Sequence, residues 1–259
     1  MKIIGQEITK YYGKNQVLYH CDFEITLNQL GVIGLIGPNG AGKSTLMRML
    51  GGITEPNAGK LLIENKSISN AYDYSAWAQR NSYYVPTGER GLRNKLSTKD
   101  NLKYFAALRG KSVPKCLELL YGTAIDFDAE YLIDKEFDQM STGQKKRAEL
   151  MVAVALGARL LLLDEPSNGL DIDSQANLMQ LIQNISNDNN KKVVISSHDP
   201  NLLANVVSQY IFIADGHILR TLNKSLDELE LRQIYQLLYN SRCLDDKVIF
   251  NIKYGENRT

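Results

Sequence analysis

The most informative run in this chain is nine residues long and reads Gly37-Pro38-Asn39-Gly40-Ala41-Gly42-Lys43-Ser44-Thr45. It matches the pattern G-x-x-x-x-G-K-[ST] and lies between an apolar run ending at Ile36 and a stretch of helical periodicity. Glycines let backbone N–H groups converge on phosphates, and a helix N-terminus adds positive potential there. The run therefore predicts a nucleoside triphosphate site rather than an ordinary glycine-rich turn. Lys43 is expected to reach the β- and γ-phosphates, and the Ser44 hydroxyl to bind Mg²⁺.

Two adjacent carboxylates, Asp164 and Glu165, follow a second apolar run, Leu160–Leu163. In open α/β sheets ligands bind outside the carboxyl ends of the strands, so both carboxylates are expected beside the phosphate loop. We predict that Asp164 holds Mg²⁺ and that Glu165 orients and deprotonates the attacking water. Taken alone, the pair could simply cap the turn before Pro166, and the phosphate loop favours the catalytic interpretation.

The segment Met140–Gln144 predicts a capped helix start, with Ser141 as the N-cap and Gln144 at the third helical position. This is sound structural chemistry without any ligand. The same geometry is also an anion site, because a capped helix tip with the bare Gly143 exposes its N–H groups. The chain already has one phosphate-binding helix tip. We therefore expect the second to grip the γ-phosphate of a nucleotide on another copy.

Apolar strands alternate with helical segments, which predicts an α/β fold with a mainly parallel sheet. Residues 1–30 are typical instead of short strands around a turn, and Asp215-Gly216 predicts a tight hairpin. The later predicted strands are Val32–Ile36, Lys60–Glu64, Ser82–Val85, Leu160–Leu163 and Val193–Ser196. The predicted helices are Lys43–Leu50, Ser97–Arg109, Val113–Tyr121, Gly143–Ala158 and Ile172–Ser186.

The end of the chain predicts a further helix. A capping box at Ser225–Glu228 is expected to open it, and it runs to about Asn240. A strand-like stretch, Val248–Tyr254, follows. The helix could pack on the core as a stabilising extension, or it could contact another subunit.

Composition excludes several classes of protein. The chain has 259 residues, of which 44% are hydrophobic and 23% charged, as in ordinary globular proteins. Its 30 basic and 29 acidic residues give a net charge of +1, so we predict no nucleic-acid partner. The three cysteines lack metal or disulfide spacing, which fits a reducing compartment. The best apolar stretch, Val152–Leu163, is too short for a membrane span, and no signal peptide is predicted.

Taken together, the motifs resemble the nucleotide-binding domains of ABC transporters, from residue 1 to about 222. The family's signature is usually Leu-Ser-Gly-Gly-Gln, and here Met140 and Thr142 replace the leucine and the first glycine. The resemblance implies a P-loop NTPase core with an N-terminal antiparallel β subdomain. It also implies an inserted helical subdomain at about 87–142 and a C-terminal extension at 223–259. It assigns Ser141 and Gly143 to the partner's γ-phosphate.

The resemblance assigns three more residues to the site. Tyr12 would stack on adenine, Asp171 would communicate across a dimer, and His198 would contact the γ-phosphate and position Glu165. Each has a simpler alternative: Tyr12 as a turn tyrosine without a ligand, Asp171 as the N-cap of the helix from Ile172, and His198 as a structural histidine.

One position departs from the family's pattern. The family places a glutamine directly after a Tyr-x-Pro segment, where it contacts Mg²⁺ and links the site to the membrane subunit. Here Thr87 follows Pro86, and it is too short to copy a glutamine. Glu89 could supply an oxygen ligand after a shift of the loop. The Glu-Arg-Gly-Leu run that begins at Glu89 resembles exporter-type members.

The resemblance thus implies the ATP-binding subunit of an ABC transporter, which converts ATP and water to ADP and phosphate with Mg²⁺. Two copies, as a homodimer or a heterodimer, would close head to tail over ATP. A separate transmembrane permease subunit would carry the cargo, with export favoured over import. The chain would be cytoplasmic and peripheral on the inner face of the cell membrane. A soluble ABC ATPase without a transport task and a nucleotide-gated module without catalysis are the alternatives.

Overall fold

The structure is a computed structural model that describes residues 1–64, 71–88 and 91–240. The strands in these ranges are β1 (Lys2–Tyr12), β2 (Asn15–Thr26), β3 (Val32–Ile36), β4 (Ala58–Glu64), β5 (Ser82–Val85), β6 (Leu160–Asp164), β7 (Lys192–Ser196), β8 (Val207–Ala214) and β9 (His217–Leu222). The helices are α1 (Lys43–Leu50), α2 (Ala71–Asn81), α3 (Thr98–Leu108), α4 (Val113–Asp126), α5 (Thr142–Ala155), α6 (Ile172–Ser186), α7 (Pro200–Val206) and α8 (Glu228–Tyr235). The predicted strand Val248–Tyr254 and the candidate ligand Glu89 lie outside the described residues.

A six-stranded sheet with the order β5-β6-β7-β3-β8-β9 forms the centre of the molecule. Its strands are parallel except for β9, which pairs antiparallel with β8. The order places β7 between β6 and β3. Parallel neighbours end at the same edge of a sheet, so the phosphate loop after β3 and the acidic pair after β6 meet there.

The N-terminal strands form a separate three-stranded sheet with the order β2-β1-β4. Both of its pairings are antiparallel, which confirms the predicted N-terminal β subdomain. At the hairpin that closes the β8–β9 pair, Asp215 and Gly216 have φ values of 46° and 75°. Positive φ at both central residues is what a type I′ turn requires.

The apolar run Leu160–Leu163 is buried on both faces of the central sheet. Leu161 and Leu163 belong to the core shared with the helices, whereas Leu160 and Leu162 belong to the core shared with α1 and the antiparallel sheet. All four side chains are fully buried. Each contributes about 1.5–3 kcal/mol by leaving water, which is why no polar residue interrupts this run of four leucines.

The helical segment between β5 and α5 matches the predicted one in its main elements. Ser97 caps α3 and accepts a hydrogen bond from the Asp100 N–H at 3.1 Å. Helix α4 extends five residues beyond the predicted Val113–Tyr121, to Asp126. Neither α2 nor α7 is predicted by the sequence pattern.

The cap of the C-terminal helix corrects the prediction. The capping box forms between Asp227 and Glu230 rather than at Ser225–Glu228, and α8 begins at Glu228. The Asp227 carboxylate accepts from the Glu230 N–H at 2.8 Å, and the Glu230 carboxylate accepts from the Asp227 N–H at 3.0 Å. Leu226 and Leu231 flank this box and are both buried in the core. Their positions are those of a hydrophobic staple. The staple places the N-cap at Asp227, two residues after the predicted cap Ser225. A π-helical turn, Gln236–Asn240, continues α8.

Candidate nucleotide-binding site

The phosphate loop joins β3 to α1 with a backbone that needs its glycines. Gly40 and Gly42 have φ values of 82° and 104°, a region that favours glycine. A side chain at Gly42 would also meet the Leu18 methyl group, because its Cβ would lie only 2.6 Å away. Gly42 is the N-cap of α1 and supplies no side-chain cap, so the first N–H groups of the helix remain available to an anion.

Lys43 is buried at the start of α1 and is directed back over the loop. Its Nζ donates to the carbonyls of Gly37 and Pro38 at 2.6 and 3.1 Å, and it lies 3.0 Å from His198 Nε2. These three acceptors match the three N–H donors of an ammonium group. Burial lowers the pKa of Lys43, and the nearby Glu165 and Asp164 carboxylates act in the opposite direction.

Asp164 ends β6 with both carboxylate oxygens engaged. Its Oδ1 accepts from the Ser196 hydroxyl at 2.5 Å, and its Oδ2 accepts from the Tyr84 hydroxyl at 2.7 Å. Burial, followed by the bond to Asp164, raises the pKa of Tyr84 to about 12, so this phenol keeps its proton near neutral pH. The two donors come from the strands on either side of β6. The orientation of this carboxylate is therefore fixed by the sheet itself.

Glu165 leaves the strand in a conformation that is unusual for a residue with a side chain. Its φ is 47°, and its N–H donates to the Ser196 carbonyl at 3.0 Å. Such strain persists where surrounding contacts hold it, and it is frequent at functional sites. Its carboxylate accepts from the His198 N–H at 3.3 Å and lies 3.4 Å from the His198 ring nitrogen Nε2.

The His198 ring is held in its neutral form. Burial lowers its pKa, and the Lys43 ammonium lowers it further, whereas Glu165 opposes this shift. Because an ammonium group can only donate, the contact with Lys43 makes His198 Nε2 an acceptor. His198 thus accepts from the phosphate-loop lysine through its ring and donates to the Glu165 carboxylate through its backbone N–H.

These side chains share one cavity of about 490 Å³. Its lining includes most of the predicted site residues, namely Asn39, Gly40, Ala41, Gly42, Lys43, Ser44, Thr45, Asp164, Glu165 and His198. Gly37 and Pro38 contribute through their carbonyls to Lys43. Val17, Thr87 and Asn168 also line the cavity, and the sequence motifs assign no nucleotide contact to Val17 or Asn168.

Tyr84 and Ser196 are also not predicted as site residues, although both lie in quoted segments. Strand register gives the signal that could find them. Tyr84 pairs with Leu162 and Ser196 pairs with Asp164, so both face the end of β6. Only the strand order reveals this arrangement, and sequence spacing does not.

The helix tip at Ser141 lies in a different pocket, of about 210 Å³, lined by Ser141, Gly143 and Gln144 together with residues of α6. The predicted capping box is present, with Gln144 N–H to Ser141 Oγ at 3.3 Å and Ser141 N–H to Gln144 Oε1 at 3.2 Å. Gly143 packs closely against α6, since a Cβ there would lie 2.5 Å from the Ser174 hydroxyl. Lys135 also donates to Gln144 Oε1 at 2.9 Å.

Asp171 and Tyr12 are not among the residues that line the cavity. Asp171 caps α6 by accepting from the Ser174 N–H at 2.8 Å, and this bonding lowers the pKa of its carboxyl. Tyr12 is 45% exposed at the end of β1, with Lys10 Nζ 5.4 Å from its ring centre. Thr87 lines the cavity and donates to the Asp164 carbonyl at 3.2 Å.

The donor set around Asp164 suits Mg²⁺. Ser44 and Asp164 both line the cavity with oxygen donors, which this hard cation prefers. A carboxylate offers about four lone-pair positions, so Asp164 can serve a cation while Ser196 and Tyr84 donate to it. No group of three His, Cys, Asp or Glu side chains suited to a metal occurs in the described residues. Mg²⁺ at a triphosphate relies on one or two protein ligands with phosphates and water, so the residues fit.

Comparison with known proteins identifies the family. The sequence profile of the ABC transporter family matches residues 21–168, more than half of the chain. The chain therefore belongs to the ABC transporter family, and it is an ATPase of the ABC type. In the described residues, no helix is both long and apolar enough to span a membrane.

Several curated relatives are ATP-binding subunits of transport systems. The lipopolysaccharide export system ATP-binding protein LptB of Escherichia coli K12 is 28% identical, over 90% of this chain and 96% of LptB. The lantibiotic transport ATP-binding protein SrtF of Streptococcus pyogenes is 30% identical, over 92% of this chain and 98% of SrtF. The nickel import ATP-binding protein LarO of Lactiplantibacillus plantarum is 31% identical, over 76% of this chain and 83% of LarO. The match to ATP-binding cassette sub-family A member 6 of Mus musculus, 31% identical, covers 67% of this chain and only 10% of that protein.

Solved structures show the same fold. The ADP conformation of MJ1267, an ATP-binding cassette of an ABC transporter, has a TM-score of 0.74 at 20% identity, covering 99% of this chain and 100% of that one. The dimeric post-hydrolysis state of the cassette MJ0796, bound to ADP and Pi, has a TM-score of 0.70 at 21% identity, covering 85% and 98%. At these identities the likeness establishes the α/β cassette fold.

Proposed function

We propose that this chain is the motor subunit of an ABC transporter and that it drives export through a separate transmembrane permease subunit. One observation carries the proposal: Lys43, Asp164, Glu165 and His198 share a single cavity, while the helix tip at Ser141 opens into another. The first cavity provides the chemistry of hydrolysis. The pocket at the Ser141 helix tip provides a contact for a nucleotide that is bound to another copy.

Within the cavity, each side chain takes one part in phosphoryl transfer. Lys43 would exchange the three acceptors that it has within the protein for oxygens of the β- and γ-phosphates. Its positive charge would then offset the charge of the phosphates. Glu165 would accept a proton from the attacking water, aligned by the His198 N–H that already donates to its carboxylate. Once Lys43 has moved to the phosphates, the neutral His198 ring would carry its proton on Nε2 and donate a hydrogen bond to the γ-phosphate. Ser44 and Asp164 would hold Mg²⁺, which neutralises charge on the phosphate oxygens when bound.

The composite site requires a second copy. The capping box gives α5 a fixed start, and Ser141, Gly143 and Gln144 line the pocket at this helix tip. Ser141, Gly143 and Gln144 would bind the γ-phosphate held by the partner, and Asp171 would lie across that dimer interface. Tyr12 would complete the site by stacking on adenine, a contact worth about 1–3 kcal/mol. Hydrolysis would then remove the bridge between the two copies and let the dimer open.

Transport and its direction rest on the relatives and on one local run of sequence. LptB belongs to an export system and SrtF to a lantibiotic transport system, and each is covered almost completely. LarO belongs to an importer, so family membership by itself leaves direction open. The Glu-Arg-Gly-Leu run resembles exporter-type members, and it favours export. The chain would then be peripheral on the inner face of the cell membrane.

Purification from native membranes tests this function. An affinity-tagged Glu165→Gln chain, which should keep ATP bound, is extracted with a mild detergent in Mg·ATP, and co-purifying proteins are identified by mass spectrometry. A multi-span membrane protein at near-stoichiometric amount supports a transporter subunit. Recovery of soluble proteins alone would instead support the non-transport ABC ATPase.

Inverted vesicles containing that membrane protein then test direction, because they expose the cytoplasmic face to added ATP. Export predicts ATP-dependent accumulation of a cargo inside the vesicles, and import predicts its loss. Vesicles carrying Lys43→Ala provide the matched control.

A further inference from the structure

The C-terminal helix α8 and its π-helical continuation lie beyond residues 21–168, which carry the family match. The segment is nevertheless built into the core through Leu226 and Leu231, which are 2% and 4% exposed. Near its end, the Tyr239 hydroxyl donates to the Ile36 carbonyl at 2.9 Å, across 203 positions of sequence. The last helical turn is thereby joined directly to β3.

Ile36 is the final residue of β3, and Gly37 opens the phosphate loop. The Ile36 carbonyl and the Gly37 N–H belong to one planar peptide unit, so a bond to this carbonyl fixes the orientation of both. The next carbonyl, that of Gly37, accepts from Lys43 Nζ at 2.6 Å. Tyr239 therefore acts on the backbone that directly precedes the lysine's own acceptor.

The remaining contact between α8 and the site is loose. A cavity of about 350 Å³ separates α8 from the segment that carries His198, with Ser197, His198 and Pro200 on one side and Leu231 and Tyr235 on the other. Groups that face each other across a void lose their dispersion contacts. Among the residues that the structure describes, the hydrogen bond from Tyr239 is a direct polar connection from this segment to the residue before the phosphate loop.

We propose that Tyr239 is a positioning residue for the phosphate loop and that the C-terminal helix thereby sets the affinity for nucleotide. The inference rests on the proposed function, because it assumes that this loop binds ATP. Tyr239 touches neither substrate nor reacting atoms. It holds the Ile36–Gly37 peptide, from which the phosphate loop starts and whose glycine carbonyl accepts from Lys43. A displacement of α8 would weaken ATP binding without altering any residue of the cavity.

The test compares two substitutions that each remove one hydroxyl. Tyr239→Phe removes the donor to Ile36. Tyr235→Phe is the matched control, since its ring lies 4.6 Å from that of Tyr239 and its hydroxyl makes no hydrogen bond within the described ranges. ATP binding is measured by calorimetry in EDTA, where turnover cannot contribute. Hydrogen exchange of the amides of residues 36–43 is measured in parallel, together with the melting temperature of each variant.

We expect Tyr239→Phe to raise the Kd for ATP about three- to tenfold and to speed exchange in residues 36–43. Tyr235→Phe should leave both quantities unchanged. Equal Kd changes in the two variants, or an unchanged Kd in Tyr239→Phe, would overturn the inference, whatever happens to the melting temperature.

Lys43→Ala separates this inference from the proposed function. Loss of ATP binding in Lys43→Ala supports the proposed site, and the comparison of the two tyrosines then decides the role of Tyr239. Unaltered ATP binding in Lys43→Ala would contradict the proposed site, and the inference about Tyr239 would fall with it.

Discussion

The N-termini of α1 and α5 are alike in chemistry and differ in their surroundings. Helix α1 starts at Gly42 without a side-chain cap and faces a cavity that also holds Asp164, Glu165 and His198. Helix α5 starts at a capped Ser141, and the pocket there is lined by none of those three residues. An anion at the first tip would meet these three side chains, whereas none of them lines the pocket at Ser141. In the proposed function, the second tip would serve catalysis by facing the first tip of another copy.

The largest expected effect separates chemistry from binding at the α1 tip. Glu165→Gln should lower kcat for ATP hydrolysis about 10²–10⁴-fold, because an amide cannot accept the proton of the attacking water. The Kd for ATP should stay within about threefold, since Lys43 and the loop are untouched. Steady-state phosphate release and equilibrium binding measure the two quantities. A variant that keeps more than about a tenth of the wild-type kcat would contradict the role of Glu165.

The next effect concerns the support of the α5 tip. Lys146 and Glu149 form an ion pair of 2.9 Å on this helix, with side chains only 8% and 1% exposed. Glu149→Ala should lower the free energy of unfolding by about 3–5 kcal/mol, because it leaves an ammonium group buried without this partner. Urea denaturation measures the change. The double variant Glu149→Ala with Lys146→Met should regain most of the loss, and a failure to regain it would contradict the charge explanation.

A buried lysine at the opposite edge of the sheet provides a reference away from both tips. Lys192 begins β7, donates to the Gln29 carbonyl at 3.2 Å, and has a pKa lowered by burial from 10.5 to about 8. Between these two values the unfolded chain binds more protons than the folded chain, so this group adds stability as pH rises from about 8 to 10.5. Lys192→Met should therefore be more stable than wild type by about 1–3 kcal/mol at pH 7. Denaturation at several pH values should show this advantage shrinking above pH 8. A difference in stability between variant and wild type that stays the same at every pH would contradict the lowered pKa of Lys192.

The smallest effect on stability distinguishes a cap from a binding group. Ser141→Ala and Ser97→Ala each remove an N-cap hydroxyl, from α5 and α3 respectively. Each should cost about 0.5–2 kcal/mol of unfolding free energy. Only Ser141→Ala should also reduce ATP hydrolysis, by about tenfold, because its hydroxyl would reach the partner's γ-phosphate. Equal ATPase rates in the two variants would restrict Ser141 to its structural role.

Much of the site could be predicted because its motifs are local. The phosphate loop lies between elements that are adjacent in the chain. The acidic pair is equally local, because Asp164 and Glu165 directly follow the apolar residues of β6. The contribution of Tyr84 could not be predicted in this way. It depends on β5 lying beside β6, a pairing of strands that are far apart in the chain.

The elements missed from the sequence have physical reasons too. Helix α7 is only seven residues long, and its start depends on Asp199, which accepts from the N–H groups of Asn201 and Leu202. Such a short helix shows too few turns for an apolar period. At α8, both Ser225 and Asp227 are suitable caps in the sequence, and burial of Leu226 and Leu231 selects Asp227.

Sharing of each nucleotide between two copies is tested most directly by the mass of the Glu165→Gln chain in solution. Multi-angle light scattering is recorded at saturating Mg·ATP and at saturating Mg·ADP, and again after adding Gly143→Asp, which places a negative charge on the α5 tip. We predict a dimer with Mg·ATP, a monomer with Mg·ADP, and a monomer in both nucleotides once Gly143 is replaced. A Glu165→Gln chain that binds Mg·ATP at saturation and stays monomeric, alone and with its natural partner subunit, would contradict the account.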